Sequence, residues 1–306
     1  MYYAIVYSAL VAGASAHGLI RSVEGANGVS MPGLSVTDGT PRDCVVNACG
    51  AQADTAIIRD AEIKSGAAPP LGKTQGNGPV NAEAVIAAFM SKAPAPTNKG
   101  PASGVGVEDD LSGLQKLPMQ RREEQRAERR ENHKRQMMNL FNLPIIGVAG
   151  IGGQRNTYPT ETMVQDMSGQ GGQKGLPTSD DKGQISMVYR QINQDGAGPL
   201  TAAIDPSSGG TDPNAFQTAR VVQDVPGSGI SGLSIATNTD YPVKVQMPDG
   251  MTCTGKVGGA SNVCIVRVRN QALAGPFGGA GAFTQSPAAH KRALEYRLKK
   301  RFEFGN

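Results

Sequence analysis

Tryptophan is absent, and the 306 residues include only seven Tyr and seven Phe, against 40 Gly and 20 Pro. That balance argues against a helical bundle, whereas short strands joined by many turns fit it. Histidine is scarcer still, with three residues, His17, His133 and His290. A Ser-His-Asp hydrolase would have to draw its base from one of them, and the last two lie in charged, solvated stretches. No glycine-rich phosphate loop follows a strand and opens a helix, and Gly227-Ser228-Gly229 reads as a bend, so neither nucleotide chemistry nor a nucleophile turn has a motif here. Paired carboxylates for glycoside hydrolysis need only meet in space, so the sequence leaves that class open. Asn-x-Ser and Asn-x-Thr do not occur, which removes N-glycosylation. No apolar run reaches the roughly 20 residues that a spanning helix requires.

A strongly basic surface is also missing, despite a formal charge of +4. Residues 121 to 135 carry seven Lys or Arg against four Glu, and residues 286 to 306 carry six against two. The body left over is mildly acidic, so a nucleic-acid partner is not expected. Within the first run, His133 is flanked by cations and reads as a solvated surface residue rather than a metal ligand. Lys134-Arg135 and Lys299-Lys300-Arg301 are weak dibasic processing signals.

The start of the chain carries the most information. Residues 2 to 16 are apolar or small and finish in Ala14-Ser15-Ala16, the small-x-small pattern of a signal-peptidase site, although no positive side chain precedes them. Residues 1–16 are therefore expected to leave as a signal peptide, which makes the protein secreted and extracellular or cell-wall bound. His17 then becomes the first mature residue. Its free amine and imidazole Nδ1 together can chelate one metal ion, and both suit Cu(II), so copper is the cofactor to consider. The plainer alternative is that His17 merely follows the cut.

Four cysteines in a secreted chain predict two disulfides. Of the three pairings, the local ones are favoured, Cys44 with Cys49 and Cys253 with Cys264. Gly18 to Gly25 predicts a first strand leading from His17, and a short strand is expected at Leu34 to Val36. Asp54 reads as an N-cap opening a helical turn that buries Ile57 and Ile58. Ala82 to Ser91 predicts a helix capped near Asn81. From Lys92 to Val107 the chain has linker composition, and Arg121 to Arg135, either a solvent-exposed helix laced by charge pairs or a disordered insertion, cannot join a core; together they mark a charged, flexible insertion at about 92–142. Later strands are predicted at 184–193, 219–225, 232–236, 243–247 and 263–268, spaced by turn residues as in an antiparallel sandwich. In the tail, 286–306, Ala289 to Arg301 can form a basic helix with His290 at its start, but its apolar residues are too few for an amphipathic membrane helix, and a flexible tail is the favoured reading.

Three runs then carry a resemblance. These are the Cys44 to Arg59 segment with Asp54-Thr55-Ala56-Ile57-Ile58-Arg59, the run Gln191-Ile192-Asn193-Gln194-Asp195-Gly196-Ala197-Gly198-Pro199, and Asn270-Gln271-Ala272-Leu273-Ala274-Gly275-Pro276-Phe277-Gly278-Gly279. With a signal ending before His-Gly, their order resembles the Egh-like secreted virulence factors of pathogenic fungi. The resemblance spans about residues 17 to 285 and implies a secreted or cell-surface protein of infection structures, with a host surface or a fungal wall polysaccharide or protein as partner. It implies no particular reaction.

A looser similarity is to the lytic polysaccharide monooxygenases, which implies an immunoglobulin-like sandwich with disulfide staples. The architecture expected is thus a single antiparallel β-sandwich domain, 17–285, with long Gly/Pro-rich loops and a few short helices. The similarity also implies copper held by an N-terminal histidine and a second imidazole. Here the place for a second ligand, before the Asp195 turn, reads Tyr189-Arg190, leaving Asp54 or Asp195 as carboxylate substitutes. The primary expectation is a non-catalytic secreted protein of host contact or penetration. The alternative is a copper-binding oxidoreductase, or its inactive relative, acting at polysaccharide surfaces through His17.

Overall fold

A computed structural model describes residues 17–45, 49–98, 153–155, 158–194, 196–227, 234, 236–272 and 275–304. Residues 1–16, expected to be a signal peptide, His133, Asp195, most of the charged insertion and most of the strand expected at 232–236 lie outside the described residues.

The described strands are β1 (Gly18–Glu24), β2 (Ser30–Pro32), β3 (Ala56–Ile57), β4 (Lys73–Thr74), β5 (Gly78–Pro79), β6 (Gln154–Arg155), β7 (Gln184–Gln191), β8 (Thr201–Asp205), β9 (Gln217–Gln223), β10 (Thr239–Gln246), β11 (Gly255–Val257), β12 (Ala260–Arg269) and β13 (Phe277–Phe283). All of their pairings are antiparallel, in the order β2-β1-β7-β10-β9-β8-β12-β13-β3-β4-β5, with β6 beside β10 and β11 beside β12. The mainly β, antiparallel class is as expected. The architecture differs from an immunoglobulin-like sandwich in that the hydrogen bonding forms one curled sheet rather than two. The reason lies in β9, whose Gln217–Ala219 pairs with β8 while Arg220–Gln223 pairs with β10, carrying the ladder round the bend.

The curl brings β1 over β13. A Cβ on Gly279 would stand 2.6 Å from the Ile20 backbone nitrogen, and one on Gly281 2.2 Å from Val23 Cγ2. Only glycine allows that approach. Period-two alternation fills the interior: Ile185, Met187 and Tyr189 of β7 and Tyr241, Val243 and Val245 of β10 face Val266 and Val268 of β12. A second cluster lies behind β12 and β13, where Val85, Ile86 and Phe89 pack with Val263, Ile265, Ala280 and Ala282. Those first three come from the helix α2 (Ala82–Ser91), which forms as predicted: the Asn81 side chain accepts from the Glu83 backbone nitrogen at 2.9 Å, and Lys92, at φ 58, ends it.

Both predicted disulfides are present, Cys44–Cys49 and Cys253–Cys264. Other local readings need correction. Leu34 to Val36 is not a strand, and Ala56–Ile57, expected to be helical, is β3; the nearby helix α1 starts only at Asp60 and runs to Ser65. β-branched and apolar residues at 55–58 pack between strands, and that tertiary pairing outweighs the capping potential of Asp54. The tail is likewise not structureless but a helix, Pro287–Phe304, whose Ala289 and Ala293 are buried against the body. Among the described residues no helix is long and apolar enough to cross a membrane.

Candidate functional site

His17 sits at the start of β1 and is buried, at 1% exposure. Its backbone nitrogen donates to Asn193 Oδ1 at 2.8 Å and its carbonyl accepts from Ile192 at 3.0 Å. Its ring lies against that of Phe277, with centroids 4.4 Å apart. Gly196 closes the other side so tightly that a Cβ there would meet the His17 carbonyl oxygen at 2.0 Å, and the Tyr189 hydroxyl donates to the Gly196 carbonyl from below. Asn270 shapes the far wall, its Oδ1 accepting from Ala272 and Phe277 and its Nδ2 donating to the Ala197 carbonyl. Ile57 pairs with Phe277 across β3 and β13, and Ile58 donates to the Pro276 carbonyl. Two of the three runs singled out in the sequence thus meet His17 directly, and the first joins them through Phe277 and Pro276.

The donor set for copper does not complete itself there. Among the described residues no group of three or more His, Cys, Asp or Glu can hold a metal ion. His290 belongs to the C-terminal helix, which is tied to Asp181 beside the start of β7, whereas His17 lies beside the end of that eight-residue strand. At about 3.3 Å per residue the two are on the order of 20 Å apart. Tyr189 points into the core, and Asp54 is engaged elsewhere, in a cluster that the sequence did not reveal.

That cluster covers the outer face of β1, β7 and β10. Arg42 is sealed at 1% exposure; its Nη1 and Nη2 donate to Asp54 at 3.0 and 2.5 Å, and its Nε donates to Glu161 at 3.0 Å. Burial alone would pull the guanidinium down, but the two carboxylates hold its pKa above the ordinary value. Burial pushes Glu161 up, and Arg42 outweighs it, so the carboxyl stays below its usual range. Tyr158 lies beside them, its hydroxyl accepting from Arg190 Nη1 at 2.7 Å and its ring within 4.7 Å of the Arg21 guanidinium and 5.2 Å of that of Arg190. Burial and the nearby Glu161 push the phenol up to about 12.

Arg190 Nη2 also donates to Asn238 Oδ1, and Asn238 Nδ2 donates to the Arg42 carbonyl at 2.6 Å. Arg21 owes its position to a β-bulge: Ile20 pairs with Tyr189 and Ser22 with Val188, leaving Arg21 as the extra residue. Asp240 stands 3.4 Å from Arg190 and 3.8 Å from Arg21. These contacts are too long to offset its desolvation, so burial raises its carboxyl. Three cations and three anions thus neutralise one another. Arg21 and Asp240, with side chains 25% and 16% exposed, mark the edge that reaches the surface.

The Egh16-like virulence factor family matches residues 15–278. The chain belongs to that family. An appressoria-specific virulence factor of Pyricularia oryzae, GAS2, is 48% identical over 299 residues, covering 97% of this chain and 93% of the relative. A second from that fungus, appressoria-specific virulence factor GAS1, is 36% identical over 154 residues, or 49% of this chain and 59% of the relative. No solved structure matches.

In this Egh16-like chain His17 could be singled out because the small-x-small motif before it, Ala14-Ser15-Ala16, is a local pattern. The arginine cluster carried no such signal. Arg42 meets a partner 12 residues away and another 119 away, and Arg190 reaches Asn238 48 residues on. The bare Pro41-Arg42-Asp43 and Tyr158 lie in segments that read as loop.

Proposed function

We propose that the chain is a secreted virulence-associated protein that assists host contact or penetration by binding, without catalysis, at the fungal wall or the host surface. The observation that carries this reading is the 48% identity, along 97% of the chain, to a protein named for its virulence role in appressoria. The site supports it: the charged side chains gathered on the outer face serve one another as partners, and Arg42, Asp54 and Glu161 are buried away from any substrate. Secretion is supported by the Ala14-Ser15-Ala16 motif and by two disulfides, which persist in oxidising compartments.

The test uses protein with a verified His17 N-terminus, incubated with insoluble chitin, β-glucan and cellulose with copper and a reductant. The expected result is retention on at least one solid with no soluble sugars released. Copper-dependent release of oxidised oligosaccharides would overturn the non-catalytic reading. Retention on none would eliminate wall polysaccharide as partner and leave surface proteins.

A second reading rests on the convergence at His17. Cleavage after Ala16 would put an amine and an imidazole on one residue, with the Asn193 amide oxygen 2.8 Å from that nitrogen. Copper bound there would have two nitrogens from a single residue, fewer than the set the monooxygenases use. Calorimetric copper titration of the mature chain against the same chain extended by one residue decides it. Tight binding lost on extension supports this reading, and equal weak binding by both removes it.

A further inference from the structure

Five large hydrophobic side chains are well exposed among the described residues, and four of them, Leu294, Tyr296, Leu298 and Phe302, lie on the C-terminal helix Pro287–Phe304. That concentration on one element is not the ordinary scatter of surface leucines. The sequence reading of too few apolar residues missed it because the helix has two apolar faces. Ala289 and Ala293 point into the body, while Leu294, Leu298 and Phe302, spaced by four, form one stripe on the opposite side at 43%, 52% and 77% exposure.

The docked face is fixed by polar contacts. The Ser286 hydroxyl accepts from the Ala289 backbone nitrogen at 3.1 Å, Arg292 donates to the Asp181 carbonyl at 3.0 Å and Arg297 to the Gly250 carbonyl at 2.6 Å. Beyond Arg297 the side chains of residues 298 to 303 are all exposed, Leu298 and Phe302 among them. Exposed cations border the stripe, with Lys291 on its own face and Arg301 and Lys299 on either side. The helix carries six Lys or Arg against two Glu.

A stripe of Leu and Phe rimmed by cations, on a helix of low overall hydrophobicity, gives the outer face the chemistry of an interfacial helix, while Ala289 and Ala293 on the opposite face keep the amphipathicity of the helix as a whole small. We propose that the C-terminal helix docks the protein onto an anionic phospholipid surface, inserting Leu294, Leu298 and Phe302 between headgroups while Lys291, Lys299 and Arg301 meet the lipid phosphates and carboxylates. Charge selects this occupant. A second copy of the helix would bring two sets of six cations together against two Glu each, whereas an anionic bilayer complements the net positive charge, Glu295 being the one acid beside the stripe.

The test is flotation of the full mature chain with vesicles of phosphatidylcholine alone or mixed with phosphatidylserine. Binding is expected only with phosphatidylserine and should weaken with added salt. At roughly fivefold per cation, the triple variant Lys291→Gln, Lys299→Gln, Arg301→Gln should lower partitioning on the order of a hundredfold. Leu298→Glu with Phe302→Glu should abolish it. All five positions are exposed, so unchanged urea midpoints confirm that the variants fold. Equal binding to both vesicle types, binding indifferent to either variant, or no flotation at all would overturn the proposal. So would a dimer in sedimentation that Leu298→Glu dissociates, which would make a second copy the occupant.

Discussion

Arg42→Met removes a guanidinium that makes three hydrogen bonds to two carboxylates, with all three side chains no more than 2% exposed. Methionine fills much of the volume, so the loss is electrostatic rather than a cavity. Removing one partner of a buried ion pair costs about 3–5 kcal/mol, because the orphaned charge stays out of water. Two carboxylates are orphaned here, which places the expected loss at the upper end of that range. This is a large share of the roughly 5–15 kcal/mol that holds a domain folded.

Urea unfolding of the mature chain with disulfides intact measures it, read as a shift in midpoint at constant slope. The loss should also depend on pH. In the wild type Glu161 titrates below its unfolded value, so its contribution is fully present above the unfolded pKa and is lost as pH falls through the folded one. In the variant, burial without the cation favours the protonated acid, so acidification relieves the strain and the two stabilities converge toward pH 4. A second variant separates charge from packing. Arg42→Met, Asp54→Asn, Glu161→Gln keeps acceptors for the Thr37 and Met163 backbone nitrogens while removing every charge, and should recover most of the loss. A single-variant loss under about 1 kcal/mol, or one independent of pH, would refute a sealed clamp.

Asp240→Asn should behave in the opposite sense. Burial raises this carboxyl, so at neutral pH its charge opposes folding and the cost fades as pH drops through the raised folded value; the substitution should be neutral or stabilising at pH 7 in the same urea assay. Replacing Cys253 and Cys264 together by Ala should cost roughly 3 kcal/mol from the loop of 11 residues they close, against roughly 2 kcal/mol for Cys44 and Cys49, whose separation is 5; thermal melts of the two double variants rank them. Gly279→Val should cost more than a typical surface change and lower the melting temperature by several degrees, because its side chain would strike the Ile20 backbone where β1 crosses β13.

The parts of the fold that could be read along the chain are those whose cause is local. Helix Ala82–Ser91 carries its own cap and its own helix formers, β7 alternates for most of its length, and each cysteine pair is close in sequence. β13 escaped because Phe277-Gly278-Gly279-Ala280-Gly281-Ala282-Phe283 has the composition of a turn, and its glycines become intelligible only when Ile20 and Val23 are found lying over them.

The same asymmetry divides the two candidate sites. His17 is announced by fifteen preceding residues, yet what surrounds it, Asn193, Gly196, Asn270 and Phe277, arrives from two distant segments and decides whether it is a ligand or a packed strand end. Arg42 is announced by nothing. Its meaning lies wholly in Asp54, Glu161 and the Asn238 amide that reaches back to its carbonyl, so it can be read only from the folded chain. An arginine held this way is committed. Bringing it to a ligand would mean unsealing two carboxylates, a cost that a binding surface avoids by placing its cations where the C-terminal helix has them, exposed beside an apolar stripe.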